Sequence, residues 1–72
     1  MSEDVEYTEF KDRIVNYLRG VGGKGVDTTM NIAKGTGMSR KEASKTLLRM
    51  EMEGVVKSAG VTAGVAGYKL AE

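Results

Sequence analysis

The sequence predicts an α+β domain in which three helices are followed by a C-terminal β-hairpin. Apolar residues recur at helical spacing near the N-terminus, a capping-box pattern opens a helix in mid-chain, and valine and glycine are frequent towards the C-terminus. A chain of 72 residues has room for one small core. We therefore expect residues 1–72 to form a single domain, with residues 1–4 disordered.

The first helix is expected over residues 5–19, where three apolar residues recur every four positions. They are Phe10, Ile14 and Leu18. Asp4 or Thr8 is the candidate N-cap, and the glycine-rich segment 20–25 ends the helix because glycine readily adopts the left-handed cap conformation. A very short strand at Val26 follows.

A second, shorter helix is expected over residues 28–34, with Asp27 as its N-cap. Its candidate core residues are Met30, Ile32 and Ala33. Residues 35–38 then form a short turn that contains Gly37, which is typical of a helix-turn-helix unit.

The third helix has the clearest start signal in the sequence, because Ser39 and Glu42 fit the capping-box pattern. This helix is expected to run from Arg40 to about Glu53, with Gly54 as its C-cap. Its side that faces the core holds Ala43, Leu47 and Met50.

The C-terminal segment is expected to form a hairpin with a long, flexible tip. Residues 55–57 and 68–70 are its strands, and residues 58–67 are its glycine-rich loop. Thr62 lies at the tip, which either brings backbone amides to phosphates or is merely mobile. Tyr68 begins the last strand and either packs in the core or contacts a ligand by stacking or through its hydroxyl.

The charge of the chain is unevenly distributed. The formal net charge is +1, yet residues 1–9 hold four acidic side chains and no basic one, whereas residues 10–49 hold nine basic side chains and three acidic ones. A locally basic segment indicates nucleic-acid binding, although ordinary solvated lysines and arginines explain it equally well.

The side of the third helix that faces away from the core is basic. Lys41 and Lys45 lie one turn apart and form a ridge suited to a phosphate backbone, with Ser44 and Arg49 on its flanks. Two apolar residues share this side: Leu48 and Met52. Either the hairpin folds over and covers them, or they contact a base, a sugar or a protein partner.

The composition excludes several classes of function. The chain has no cysteine and no histidine, which rules out disulfides, thiolate or imidazole metal sites and Ser/His or Cys/His catalytic pairs. No apolar run approaches the roughly 20 residues of a membrane span. We expect an intracellular protein of the cytoplasm or nucleus that is not an enzyme and needs no metal, cofactor or membrane.

The segment 37–56, followed by Gly67-Tyr68-Lys69-Leu70, resembles a winged helix-turn-helix. Two kinds of family share this pattern. One is the broad class of winged-helix transcription regulators. The other is the Zα family, found in double-stranded-RNA adenosine deaminases and in some viral and fish innate-immunity proteins. The Zα resemblance covers nearly the whole chain, and its Trp-Lys-Ile-Ala ending is similar to residues 68–71.

The Zα resemblance implies a grip on the zigzag backbone of a left-handed duplex by the third helix and the wing. The basic contact positions carry Arg40, Lys41 and Lys45. Ser44 replaces the family's asparagine, Leu48 its tyrosine and Tyr68 its tryptophan, and the wing lacks proline. The candidate binding residues are therefore Arg40, Lys41, Ser44, Lys45, Leu48, Thr62 and Tyr68.

We expect a domain that grips the phosphate backbone of double-stranded nucleic acid, and the resemblance favours left-handed Z-DNA or Z-RNA. Two alternatives stay open. One is a transcription regulator that reads right-handed duplex DNA, with Lys41 and Lys45 in the major groove. The other is a protein-interaction module whose contact patch is Leu48 and Met52.

Overall fold

The chain folds into three α-helices and a three-stranded antiparallel sheet. A computed structural model describes residues 2–20, 26–62 and 64–71. Its elements are α1 (Ser2–Gly20), β1 (Val26–Thr28), α2 (Thr29–Thr36), α3 (Arg40–Met52), β2 (Val56–Thr62) and β3 (Val65–Leu70). The strand order is β1-β3-β2. The predicted α+β class, the three helices, the short first strand and the C-terminal hairpin are confirmed.

The first helix begins earlier than its predicted caps. It starts at Ser2, so residues 2–4, for which we expected disorder, form its first turn. Of the predicted core residues of α1, Ile14 and Leu18 are buried in the core and Phe10 packs against it. Of the glycine segment predicted to end the helix, residues 21–25 lie outside the described part of the chain.

The residue that caps α2 is Thr28 rather than Asp27. The Thr28 hydroxyl accepts a hydrogen bond from the Asn31 backbone N–H. Asp27 lies in β1, and its carboxylate accepts hydrogen bonds from the Tyr17 hydroxyl at 2.6 Å and the Asn31 side-chain amide at 3.0 Å. Burial acts to raise the pKa of Asp27, but these bonds and one from the Thr28 N–H outweigh it and lower the pKa. Asp27 thereby links α1, β1 and α2.

The second helix begins one residue later and ends two residues later than predicted, and a short turn joins it to α3 as a helix-turn-helix requires. It continues to Thr36 and is closed by Gly37, whose φ of 72° is the left-handed conformation that glycine adopts at no steric cost. Ile32 and Ala33 are buried, whereas Met30 is 37% exposed and contributes little to the core.

The capping box of α3 is confirmed. The Ser39 hydroxyl accepts from the Glu42 N–H at 3.0 Å, and the Glu42 carboxylate accepts from the Ser39 N–H at 2.9 Å. The helix ends at Met52 with Glu53 as its C-cap, so Gly54, the predicted C-cap, lies one residue beyond the observed one. The three predicted core residues are fully buried: Ala43, Leu47 and Met50.

The hairpin has longer strands and a tighter turn than the sequence indicated. Thr62 pairs with Val65, so only the two residues between them connect β2 and β3. Of the glycines predicted to form a flexible loop, Gly64 lies in the turn, but Gly60 and Gly67 lie within the strands instead. Gly60, with a φ of 87°, lies where the register of β2 shifts, and Gly67 is buried on the central strand. Tyr68 is consequently the fourth residue of β3, not its first.

The core lies between the helices and one face of the sheet, to which β2 and β3 contribute Val56 and Tyr68. In the described part of the chain, every buried side-chain nitrogen or oxygen has a hydrogen-bond partner. The same residues include no helix with the length and apolarity that crossing a membrane requires, and no group of carboxylates placed to hold a metal ion.

Gly35 is required where α2 packs on α1. A Cβ atom there would lie 2.1 Å from Cε1 of Tyr17, and the Tyr17 ring is tethered by its hydrogen bond to Asp27. We therefore expect Gly35→Ala to destabilise the domain by about 1–3 kcal/mol, the usual cost of overpacking. Alanine in a helix interior otherwise gains about 1 kcal/mol over glycine. Urea unfolding measures the difference.

Gly20→Ala is the matched control, because no atom of the described residues lies within 4 Å of the Cβ position at Gly20. Its stability should stay within about 0.5 kcal/mol of the original chain. In a Tyr17→Ala background the cost of Gly35→Ala should largely disappear, since the clashing ring is gone. A Gly35→Ala protein as stable as the original would show that the two helices do not need this close approach.

Candidate nucleic-acid interface

One side of α3 brings together four of the predicted binding residues. These four residues are Lys41, Ser44, Lys45 and Leu48. They lie at positions i, i+3, i+4 and i+7, are exposed, and face away from the buried residues of the helix. With 3.6 residues per turn, these four positions span an arc of about 100°. We call this surface the outer face of α3. Arg40, the first residue of the helix, is exposed beside it.

The cations of the outer face have no carboxylate partner within residues 2–20, 26–62 and 64–71. None of Arg40, Lys41 and Lys45 forms an ion pair there. The acidic residue closest to them in sequence, Glu42, is engaged with Ser39. The backbone hydrogen bond from Ser39 lowers the pKa of Glu42 and holds its carboxylate at the helix start. The lysine charges are thus available to an external anion.

Two apolar side chains are exposed on the same side of α3, so the first of the two alternatives, that the hairpin covers them, is wrong. Leu48 is 52% exposed and Met52 is 87% exposed. The hairpin does not cover them because its inward-facing residues, Val56 and Tyr68, are committed to the core. An apolar contact point therefore lies next to the lysines.

The two remaining predicted binding residues lie in the sheet rather than on α3. Thr62 ends β2 beside the hairpin turn, where it pairs with Val65. Tyr68 is 7% exposed and packs in the core from the central strand. Burial, followed by the negative charge of Glu51, raises its pKa. Tyr68 therefore takes the packing role, and little of its ring is available for stacking.

A cluster that the sequence analysis did not single out ties α1 to the C-terminal half of α3. The Arg49 guanidinium lies 3.8 Å from the centre of the Tyr7 ring, and Arg49 Nε lies 3.5 Å from a Glu53 carboxylate oxygen. The Tyr7 hydroxyl donates to the Glu53 carboxylate. The i, i+4 spacing of Arg49 and Glu53 is readable in the sequence, but Tyr7 lies 46 residues from Glu53 and no local pattern connects them.

A groove of about 220 Å³ lies beside this cluster, between α1 and α3. Its lining residues are Glu6, Tyr7, Phe10, Glu42, Lys45, Thr46 and Arg49. Lys45 therefore belongs to both the groove and the outer face of α3. Because Tyr7 and Arg49 fix α3 against α1 at this edge, they also hold the outer face in a fixed orientation.

The three helices, the helix-turn-helix connection, the β-hairpin and the basic outer face together define a winged-helix nucleic-acid-binding domain. The family model of the adenosine deaminase z-alpha domain matches residues 6–62, and the chain belongs to this family. Z-alpha domains bind Z-DNA or Z-RNA, the left-handed forms of the duplex. No curated protein matches the chain significantly.

The matched segment runs from α1 through β2 and stops at Thr62. It includes every predicted binding residue of α3. It leaves β3 outside, and with it Tyr68 and the ending similar to Trp-Lys-Ile-Ala. Membership of the family therefore rests on the helices and the first half of the wing.

Tyr7 should be the last of the three tyrosines to ionise. Burial, the hydrogen bond to Glu53 and the charge of Glu53 raise the pKa of Tyr7 to about 12, against the opposing charge of Arg49. The fold favours the neutral phenol. Its stabilising contribution is therefore complete below the ordinary pKa of 10.0 and is lost as the pH rises from there to about 12. A spectroscopic titration of tyrosinate should show this late step.

Tyr7→Phe should abolish the step near pH 12. Tyr17→Phe is the matched control, because Tyr17 is also hydrogen-bonded to a carboxylate, and this bond raises its pKa. Removal of Tyr17 should leave the late step in place. Three phenols that ionise together at their ordinary pKa in the original chain would contradict the Tyr7 contacts.

Proposed function

We propose that this domain binds left-handed duplex DNA or RNA through the outer face of α3 and the hairpin wing. One observation carries the proposal. Lys41 and Lys45 are exposed one helical turn apart, with no carboxylate partner in the described part of the chain, and both lie within the segment that matches the z-alpha domain. We propose further that the domain acts by binding alone and catalyses no reaction.

The proposed contacts of α3 are mainly with phosphates. The ammonium groups of Lys41 and Lys45 each neutralise one phosphate, and the Ser44 hydroxyl donates a further hydrogen bond. Arg40 extends the basic surface towards the start of the helix. Contacts of this kind read the path of the backbone rather than the base sequence. The shape of a zigzag backbone is then the feature that the domain selects.

Leu48 and the wing complete the proposed interface. Leu48 lies one turn beyond Ser44 and, at 52% exposed, offers an apolar contact to a sugar or a base. Thr62 marks the part of the wing that approaches the backbone. Two residues further on, Gly64 has a φ of 77° and no side chain, so the chain can approach a phosphate closely. Tyr68 supports the wing from the core.

A right-handed duplex is the second candidate ligand, and two side chains favour it. Ser44 and Leu48 lack the amide and the aromatic ring that the Zα resemblance places at these positions. Lys41 and Lys45 can instead donate to guanine acceptors in a major groove. Both candidate duplexes would bind the same outer face of α3, and they differ in their handedness.

Titration of an alternating CG duplex with the protein separates the two candidates. At low salt we expect saturating protein to invert the circular dichroism spectrum of the duplex from the right-handed to the left-handed form. Binding without inversion would identify a right-handed ligand. Absence of binding at about 50 mM salt, where phosphate contacts are strong, would favour a protein partner at Leu48 and Met52.

Lys45→Ala should weaken duplex binding through loss of one phosphate contact. The slope of log affinity against log salt should become shallower by about 0.9, which corresponds to about tenfold in affinity at about 50 mM salt. Fluorescence anisotropy over a salt series measures both quantities.

Lys11→Ala is the control for this prediction, because Lys11 lies on α1, with its ammonium 5.4 Å from the centre of the Tyr7 ring. It removes the same charge and should leave the salt slope unchanged. Equal losses from the two variants would show diffuse electrostatic attraction in place of a defined interface on α3.

A further inference from the structure

The sheet carries two lysines directly opposite each other. Lys57 of β2 pairs with Lys69 of β3, and both are exposed. In an antiparallel sheet the Cβ atoms of directly opposed residues lie about 4.5–5.5 Å apart. Both side chains rise from the same face of the sheet, so their ammonium groups can converge on one anion.

This lysine pair points away from the helices. On either side of it along the strands, Val56 pairs with Leu70 and Ser58 pairs with Tyr68. Val56 and Tyr68 are buried in the core. Because side chains alternate between the two faces of a strand, the lysines occupy the opposite, solvent-facing side. The lysine pair and the outer face of α3 are therefore separate surfaces, each directed away from the same core.

Within the described residues, no acidic side chain balances this pair. The acid of the three strands is Asp27, which lies opposite Tyr68, and hence on the core side, where it bonds to Tyr17. Neither Lys57 nor Lys69 forms an ion pair in that part of the chain. Like charges placed directly opposite each other destabilise a sheet, and an anion between them would remove that cost.

We propose that Lys57 and Lys69 form a second phosphate-binding site, which takes the backbone of a second nucleic-acid segment while α3 holds the first. The proposal rests on the proposed function, since it needs the first segment bound at α3. Two lysines supply point charges without the rigid fork of arginine, so the site is suited to a phosphate and not to a particular base. One domain would then bridge two duplexes.

A bridging assay tests this second site. One duplex is immobilised on beads, the protein is added, and retention of a second, fluorescent duplex of the same sequence is measured. The original chain should retain the second duplex. Lys57→Thr combined with Lys69→Thr should lose this retention but bind a single duplex within about twofold of the original affinity, because α3 and the part of the wing at Thr62 and Gly64 are untouched. Threonine suits a strand, and removal of the repulsion should raise the melting temperature.

Lys11→Ala combined with Lys34→Ala is the matched control, because it removes the same charge from α1 and α2. This control should bridge as the original does. Bridging that persists in the Lys57/Lys69 variant would overturn the proposal, as would a single-duplex affinity that falls with bridging, since the pair would then belong to the first site. If the original chain binds one duplex but does not retain the second duplex, this inference alone is overturned. An original chain that binds no duplex overturns the proposed function as well.

Discussion

The burial of one stripe of α3 decides where the charges of this helix lie. Ala43, Leu47 and Met50 are fully inside the core. Each residue of a helix is turned by about 100° from the previous one. The burial of these three side chains therefore also fixes the direction in which every other side chain of the helix points. Lys41 and Lys45 are thereby placed on the far side of the helix. A shift of one position would put charged side chains in the core: Glu42 and Arg49 in one direction, or Glu51 in the other.

Contacts at both ends hold that orientation. At the start of α3 the Ser39–Glu42 capping box fixes the first turn. Towards its end, Arg49 is held between the Tyr7 ring of α1 and the carboxylate of Glu53. Small domains without a metal or disulfide depend on such contacts, because a single small core leaves little stability to spare. The interface therefore depends on residues that do not themselves belong to it.

Local signals in the sequence were sufficient for α3, because its cap and its periodicity lie within fifteen residues of chain (39–53). They were insufficient wherever a residue distant in the sequence determines which side chain caps a helix, how far a strand extends or which side chain is buried. Asp27 is a good N-cap by type, but the hydroxyl of Tyr17 on another helix holds its carboxylate, and Thr28 caps α2 instead. Three glycines of the hairpin indicated a loop, yet the pairing of β2 with β3 extends the strands through two of them, Gly60 and Gly67. Tyr68 was ambiguous because its burial follows from sheet register, which no local pattern specifies.

The acidic and basic residues of the chain have different roles, which its small net charge does not show. Glu42 caps α3, Glu53 holds Tyr7, and Asp27 bonds to Tyr17, so these three carboxylates are used within the fold. Hydrogen bonds to each of them lower its pKa, which keeps the charge in place as the pH falls. The lysines of α3 and of the sheet have no such partner in the described part of the chain. A total charge of +1 is therefore compatible with two strongly basic surfaces, because the positions of the charges, not their sum, determine what an approaching phosphate meets.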